Sequence, residues 1–311
     1  MYATFAELQA AIPPAGQPQR CAVAGADDEH ALEAVMLAAR EGYLTPVLIG
    51  PSAAVEAVIA GLHVVEPYQL HDCPEGANPA EIAVRLVREG GADFILKGRM
   101  QTSDLLRPIL NKETGLNERG FITHFGLMQI AGYHKLLAMS DSAVIPYPSL
   151  ADKARIITVC TQALRSLGIV RPVVAALCAV ETVSPKMPET LDAQALAEMG
   201  ARGEFGDAIV IGPISYDLAT SRDAAEIKGY DSPYAGEADL LLVPQMVTGN
   251  VMSKIWNADE RNLLAGCLIG ARVPVGLTSR SAPMEQKLAS LLLCSLLSAA
   301  ADTTATQGVL T

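Results

Sequence analysis

The sequence lacks the short signatures of several large enzyme classes. It has no Walker A, G-x-G-x-x-G, G-x-S-x-G or EF-hand pattern, which weighs against P-loop nucleotide hydrolysis, classical dinucleotide binding and α/β-hydrolase chemistry. Its six cysteines and five histidines include no C-x-x-C pair and no H-E-x-x-H motif. We therefore predict reduced thiols and no metal site.

Basic residues and long apolar runs are also scarce. The 311 residues carry 23 Lys and Arg against 34 Asp and Glu, a formal charge of −11, which disfavours nucleic acid and anionic membranes as partners. A few cations lining one cleft can still bind a small anion. The longest apolar stretch, 288–301, contains serines and is shorter than the ~20 residues of a membrane helix. No basic residue precedes Arg20, so we predict a cytoplasmic protein without a membrane partner.

What the sequence does contain is an alternation of apolar strands and capped helices. Continuous apolar runs at Val173–Val180, Leu240–Val243 and Val273–Leu277 indicate strands covered on both faces, as in mostly parallel sheets. Asn78-Pro79-Ala80-Glu81 predicts the start of a helix, because it combines an N-cap, Pro at N1 and Glu at N3. Asp192 is predicted to cap another helix, which ends near Gly200.

From this alternation we predict an α/β fold. It consists of two three-layer α/β/α domains with mostly parallel sheets and an interdomain cleft. The first domain comprises residues 1–145 plus 281–311 and the second comprises residues 146–280, because Pro146-Tyr147-Pro148 interrupts both periodicities. We place the active site in the cleft between them.

Two strand ends carry cations and hydroxyls, and ligands of open α/β sheets bind beyond the carboxyl ends of strands. Lys97-Gly98-Arg99 leads to Thr102-Ser103-Asp104 and Arg107, which suits a phosphate or, equally, a helix capped by Thr102 or Ser103. Thr278-Ser279-Arg280-Ser281 suits a bidentate phosphate contact with a nearby hydroxyl donor, or an ordinary helix cap.

Two further strand ends carry single polar groups. Asp217 follows the strand Ala208–Gly212 and is either a base or binding group or a structural turn partner. Gly249-Asn250 precedes Lys254 and either brings the backbone close to a ligand or begins a helix.

Segments in the order and spacing of one enzyme family run from about residue 20 to the end of the chain. They are Lys97-Gly98, Thr102-Ser103-Asp104, Arg107-Pro108, 110–116, 177–183, 185–188, Gly212-Pro213 with Asp217, Lys228-Gly229, Ser232-Pro233, Ala235-Gly236, Ala238-Asp239, Gly249-Asn250 with Lys254, and 277–280. On these segments the chain resembles the phosphate acetyl/butyryltransferase family, and 96–98, 111–113, 180–188 and 277–280 look like its phosphate butyryltransferase branch.

The resemblance implies an acyltransferase that moves a short acyl group between coenzyme A and phosphate by direct transfer in a ternary complex. It implies coenzyme A as a substrate and no tightly bound cofactor. The implied fold is that of the isocitrate/isopropylmalate dehydrogenases. Together with the apolar C-terminal helix, the resemblance also suggests a homodimer.

The resemblance also implies roles for individual residues. Arg280 with Arg107 would bind phosphate and stabilise charge, and Ser279 would donate to the oxyanion or the sulfur. The remaining substrate contacts would be Lys97, Gly98, Thr102, Lys186, Asp217, Asn250 and Lys254. Acetyl-specific relatives usually carry an Asp six residues after the arginine, where this chain has Gln286. The general base is therefore open: Glu285 and Asp217 are candidates, or the bound thiolate reacts unaided.

Two other functions fit parts of the pattern. A metal-dependent NAD(P) dehydrogenase would share the fold but would need clustered metal-binding aspartates, and the sequence shows no such cluster. A non-catalytic module that binds coenzyme A or acyl phosphate would keep the cleft without turnover.

Overall fold

The computed structural model describes residues 2–11, 18–118, 120–279 and 282–307, without the side chains of 301–307. Its first elements are α1 (Phe5–Ala11), β1 (Gln19–Ala24), α2 (Glu29–Arg40), β2 (Leu44–Gly50), α3 (Ser52–Gly61), β3 (Gln69–Asp72), α4 (Pro79–Arg88), β4 (Phe94–Lys97), α5 (Thr102–Ile109), β5 (Thr123–Gln129) and β6 (Leu137–Ser140). The others are α6 (Leu150–Ser166), β7 (Val173–Leu177), α7 (Pro188–Ala201), β8 (Ile209–Ile214), α8 (Tyr216–Thr220), α9 (Arg222–Lys228), β9 (Leu240–Leu242), α10 (Met246–Asn257), β10 (Leu263–Ile269), β11 (Val275–Gly276) and α11 (Met284–Gln307).

The chain divides into two compact units. Unit 1 is Met1–Leu8 with Thr123–Leu264, and unit 2 is Gln9–Ile122 with Ala265–Thr311. In unit 2 the strand order is β3-β2-β1-β4-β11-β10, where β10 and β11 pair antiparallel and the neighbours from β3 to β11 pair in parallel. In unit 1 the order is β5-β6-β9-β7-β8, where β5 and β6 pair antiparallel and the neighbours from β6 to β8 pair in parallel.

Both units confirm the predicted mostly parallel α/β organisation, and their strands are buried as the apolar runs indicated. Cys21–Ala24 of β1 has no exposed side chain, and all three residues of β9 are buried. Burial on both faces requires apolar side chains at every position, which is why these strands show no alternation of apolar and polar residues. The isocitrate dehydrogenase-like arrangement of two domains stays a prediction.

The boundaries of the units differ from those of the predicted domains. The β5–β6 hairpin was predicted in the first domain, yet it belongs with 123–264, because β6 pairs in parallel with β9 over Ala138–Ser140. Backbone pairing outweighs the break in periodicity at Pro146-Tyr147-Pro148. Residues 265–280 likewise belong to unit 2, where β11 pairs with β4.

One of the predicted helix N-caps is confirmed by the structure, and two others are wrong. Asn78 Oδ1 accepts from Ala80 N at 3.0 Å and caps α4, with Pro79 at N1. Asp192 is not a cap, because α7 begins four residues earlier at Pro188, another favourable N1 proline. The N-cap of α5 is Gln101, so neither Thr102 nor Ser103 caps it.

A buried ion pair joins three strands of unit 1 at their amino ends. Lys135 Nζ donates to Asp239 Oδ1 at 2.8 Å, and the two side chains are only 2% and 1% exposed. Lys135 also donates to the Glu237 carbonyl at 2.8 Å, and Asp239 Oδ2 accepts from Val173 N at 2.8 Å. Each charge is therefore hydrogen-bonded as well as paired, as burial requires.

Candidate active site

An open groove lies between the starts of α4 and α5 in unit 2. Its volume is about 550 Å³. We call it the α4–α5 groove, and its lining residues are Gly76, Ala77, Asn78, Pro79, Arg99, Met100, Gln101, Asp104 and Arg107. Two helix N-termini with two arginines are a favourable setting for an anion.

Asn78 fixes the two walls of the α4–α5 groove relative to each other. Its Oδ1 caps α4, while its Nδ2 donates to the Asp104 carbonyl in the first turn of α5 at 2.9 Å. The sequence predicted Asn78 as a cap only. Its second bond depends on a long-range approach of α4 to α5, for which the sequence carries no signal.

Two glycines bring the carboxyl ends of β1 and β4 into close contact. A Cβ on Gly98 would lie 2.1 Å from the Gly25 carbonyl oxygen, and Gly25 itself has φ +81°. Arg99 N donates to that same oxygen at 2.8 Å. Gly98 was predicted as a substrate contact. The structure gives it a packing role, in which it holds the loop that carries Arg99 against β1.

The two arginines of the α4–α5 groove keep donors available. Arg99 lies 3.6 Å from Asp27, and Arg107 lies 3.6 Å from Asp104. Their side chains are 71% and 77% exposed. Both separations exceed the ~2.7–2.9 Å of a charge-assisted hydrogen bond, so the guanidinium N–H groups can still receive a phosphate. Arg99 is one of the cations of the strand end that the sequence predicted to suit a phosphate, but it was not among the individually predicted site residues.

The other candidates of this strand end have different environments. Lys97 is the last residue of β4 and its side chain is buried, with 2% exposed. Thr102 is the first residue of α5 and is partly exposed. The structure therefore brings Gly98, Thr102 and Arg107 to one edge of unit 2.

The segment after β11 reaches the same edge of the unit 2 sheet. Val275 and Gly276 pair in register with Ile95 and Leu96 of β4, so Ser279 follows at the carboxyl end beside the loop after β4. Ser279 is exposed, and its carbonyl accepts from Ala282 N at 3.1 Å. Arg280 lies outside the described residues. Glu285 is exposed in the first turn of α11.

In unit 1, Asn250 lies in the second turn of α10, beside a buried polar loop. Its Nδ2 donates to the Ser142 carbonyl at 3.3 Å. A Cβ on Gly249 would lie 2.9 Å from Ser142 Cβ, so glycine permits this approach. The prediction left two readings for Gly249-Asn250, and the structure places both residues inside a helix. Lys254 follows one turn later and is exposed.

Asp141 shapes the loop against which α10 packs. One carboxylate oxygen accepts from Thr123 Oγ1 at 2.6 Å and from His124 N at 2.9 Å. The other accepts from the backbone N–H groups of Ala143 and Val144 at 2.8 and 2.7 Å. His124 Nδ1 lies 2.9 Å from Ser142 Oγ, and burial lowers the pKa of His124 below its ordinary value. This cluster was missed, because its members are scattered through a segment without a motif.

The structure supports the turn-partner reading of Asp217. Its carboxylate lies 2.8 Å from Lys228 Nζ. Hydrogen bonds from Lys228 and Ser215 lower the pKa of Asp217, which makes it a weaker base. Lys186 is exposed in the loop before α7. Unit 1 therefore places Asn250 and Lys254 on one helix, whereas Asp217 and Lys186 lie on other segments.

The residues that the structure describes show neither a metal-binding cluster nor a membrane-spanning helix. These residues contain no group of three or more His, Cys, Asp or Glu side chains placed to hold a metal ion. None of their helices is long and apolar enough to cross a bilayer.

The mostly parallel fold and the two arginines of the α4–α5 groove define an α/β protein suited to binding a phosphate-bearing ligand at the carboxyl edge of its sheet. The family described as phosphate acetyl/butaryl transferase matches residues 69–294. The chain belongs to this family, so it is an acyltransferase, as the sequence predicted.

Individual relatives agree with the family. The chain is 37% identical to phosphate butyryltransferase of Clostridium acetobutylicum over 89% of its own length and 93% of the relative's. It is 35% identical to phosphate acetyltransferase of Thermotoga maritima, with 89% and 95% covered. The structure of a branched-chain phosphotransacylase from Enterococcus faecalis V583 superposes with a TM-score of 0.78 at 29% identity, covering 90% of this chain and 99% of that one. None of these names favours the dehydrogenase alternative.

Proposed function

We propose that the chain transfers a short acyl group between coenzyme A and inorganic phosphate. A phosphate oxygen attacks the thioester carbonyl, the C–O bond forms, the C–S bond breaks, and the thiol leaves with the proton that phosphate gives up. The products are acyl phosphate and coenzyme A, and the reverse reaction forms the thioester. The observation that carries the proposal is the α4–α5 groove, whose Arg107 lies within the segment matched by the family.

The α4–α5 groove supplies the anion-binding part of this reaction. Arg107 and Arg99 present guanidinium N–H donors next to the N-termini of α4 and α5. The phosphate of the reaction and the phosphates of coenzyme A are both ligands of this chemistry. Charge neutralisation matters here, since the attacking phosphate and the developing oxyanion are both negative.

The bond-making roles follow the resemblance. Ser279 donates to the oxyanion or the sulfur, and Arg280 binds phosphate together with Arg107. The exposure of Ser279 at the carboxyl edge of unit 2 supports this role. Both substrates are held together, so orientation lowers the barrier and no acyl-enzyme forms.

Glu285 is the better candidate for a general base. Asp217 is engaged by Lys228 and has a lowered pKa, whereas Glu285 is exposed and is adjacent to Gln286, the position six residues after Arg280. Lys97, Gly98, Thr102, Lys186, Asn250 and Lys254 stay predictions as substrate contacts. Among them, the burial of Lys97 and the packing of Gly98 favour a supporting role.

Other features of the proposal are more specific than membership of the family. The butyryl branch, a homodimer, a cytoplasmic location, an active site between two domains and the absence of a tightly bound cofactor stay predictions. Relatives named for butyryl and acetyl substrates resemble this chain to similar degrees, at 37% and 35% identity. One methylene changes selectivity by only ~1–3 kcal/mol, so acyl length must be measured.

The test is a comparison of initial rates of thiol release from acetyl-, propionyl-, butyryl- and isobutyryl-CoA, with and without phosphate. We expect phosphate-dependent release with at least one of them. Binding of coenzyme A without turnover of any thioester would instead establish the non-catalytic module. Release that does not require phosphate would indicate a thioesterase and contradict the proposal.

A further inference from the structure

A buried hydroxyl without a partner lies directly before Ser279. Among the described residues, only Asn117 Oδ1 and Thr278 Oγ1 are buried side-chain polar atoms that make no hydrogen bond. Buried hydroxyls are nearly always paired, since burial removes the bonds to water without replacing them. Thr278 belongs to no regular element and follows β11 by two residues, so no helix or sheet explains its hydroxyl.

The position of Thr278 relates this hydroxyl to the anion-binding edge of unit 2. Val275 and Gly276 pair with Ile95 and Leu96, so continuing that parallel register places Thr278 level with Gly98. Gly98 has no side chain and its backbone packs on Gly25. Thr278 therefore lies at the carboxyl ends of two parallel strands, where ligands of α/β sheets bind.

We infer that the Thr278 hydroxyl donates a hydrogen bond to a phosphoryl oxygen of the substrate, an inference that rests on the proposed function. A phosphoryl oxygen is the acceptor that fits this edge, because Arg99 and Arg107 lie in the α4–α5 groove formed by the loop after β4. A hydrogen bond to a charged oxygen is stronger than one to a neutral carbonyl.

Rotation about χ1 is the movement by which this hydroxyl would reach a ligand. Its Oγ1 is buried, but the residue as a whole is partly exposed. A turn of about 120° at χ1 moves the hydroxyl between staggered positions. No protein hydrogen bond has to break for this rotation, because Oγ1 makes none.

The test compares Thr278→Val with Thr278→Ser. Valine keeps the shape of the side chain and removes the hydroxyl, whereas serine keeps the hydroxyl and removes the methyl group. We expect T278V to lower kcat/KM for phosphate by about 10- to 100-fold, the effect of one hydrogen bond to a charged group. KM for acyl-CoA should stay within about twofold, and T278S should retain most of the activity.

Thermal stability distinguishes a role of the Thr278 hydroxyl in phosphate binding from a role in stabilising the fold. T278V should have a Tm equal to or above that of the wild type, since valine removes an unpaired buried hydroxyl. The matched control is Thr161→Val, because Thr161 is buried and its hydroxyl, unlike that of Thr278, has a partner: it donates to the Thr158 carbonyl at 3.1 Å. That variant should lose Tm and keep its kinetics.

Three results would overturn the inference: wild-type phosphate kinetics in T278V, a loss of Tm in T278V similar to that of T161V, or a loss confined to KM for acyl-CoA. If the wild-type protein shows no phosphate-dependent turnover, the proposed function fails separately. In that case the Thr278 contact is tested by the rise in Tm that inorganic phosphate causes. A rise in wild type that T278V lacks supports the contact, and an equal response of both proteins refutes it.

Discussion

Gly98→Ala tests whether the close contact of β1 and β4 builds the α4–α5 groove. The new Cβ would lie 2.1 Å from the Gly25 oxygen and 2.8 Å from its carbonyl carbon, both of them backbone atoms. Real Cβ contacts below 3.0 Å are essentially never seen, so the two segments must separate by about 3.0 − 2.1 = 0.9 Å. Overpacking of this kind costs about 1–3 kcal/mol.

The same displacement reaches the groove through Arg99, whose N–H donates to the Gly25 oxygen. A misplacement of about 1 Å can cost roughly 100-fold in rate. We therefore expect G98A to lose about 1–3 kcal/mol of unfolding free energy in urea and roughly 100-fold in kcat/KM for phosphate-dependent thiol release.

Gly61→Ala is the matched control, because nothing lies within 4 Å of a Cβ there and Gly61 ends α3 without a positive φ. Alanine should leave its activity unchanged and add up to about 1 kcal/mol of stability through the unfolded state. If G98A were as stable and as active as G61A, the packing argument would be refuted.

Three further predictions concern single side chains. Lys135→Met should cost about 3–5 kcal/mol in urea unfolding, because it leaves the buried Asp239 carboxylate without its cation; a loss below about 1 kcal/mol would contradict the pairing. Arg107→Ala should lower kcat/KM roughly 10- to 100-fold with little change in stability, whereas Arg261→Ala, equally exposed at 77%, should change neither. The pKa of His124 is lowered in the folded protein, so unfolding favours protonation of its imidazole. The wild-type Tm should therefore fall more steeply than that of His124→Asn as pH drops below about 6.5. Parallel curves of Tm against pH would show that this imidazole does not titrate on unfolding.

The sequence was informative wherever the local pattern decides the local structure. The apolar runs at Leu240–Val243 and Val173–Val180 became β9 and β7, shorter at their ends. Asn78-Pro79 marked the start of α4 because the cap and N1 preferences act within one turn. Asp192 was misplaced because Pro188 is also a favourable first residue and lies earlier.

Long-range contacts were beyond the reach of such patterns. The second bond of Asn78, the meeting of Gly25 with Gly98 and the cluster around Asp141 each join residues distant in sequence. A glycine in sequence indicates permissive backbone, but not which carbonyl will occupy the space of the missing Cβ. The resemblance supplied the list of site residues, and the structure adds their local contacts: Gly98 packs on Gly25, Asp217 pairs with Lys228, and Arg107 is exposed.

The α4–α5 groove also shows how an acidic chain can recognise an anion. Its two arginines each lie 3.6 Å from a carboxylate, Arg99 from Asp27 and Arg107 from Asp104, so the formal charges of these four groups cancel. These four groups together exert little long-range electrostatic attraction on an anion. Salt screening also limits that attraction to about 8 Å at physiological ionic strength. What the carboxylates leave in place is the array of guanidinium N–H donors, from Arg99 in the loop before α5 and from Arg107 in the last turn of that helix. Recognition by directional donors does not require a positive net charge, which is why a formal charge of −11 is compatible with a phosphate substrate.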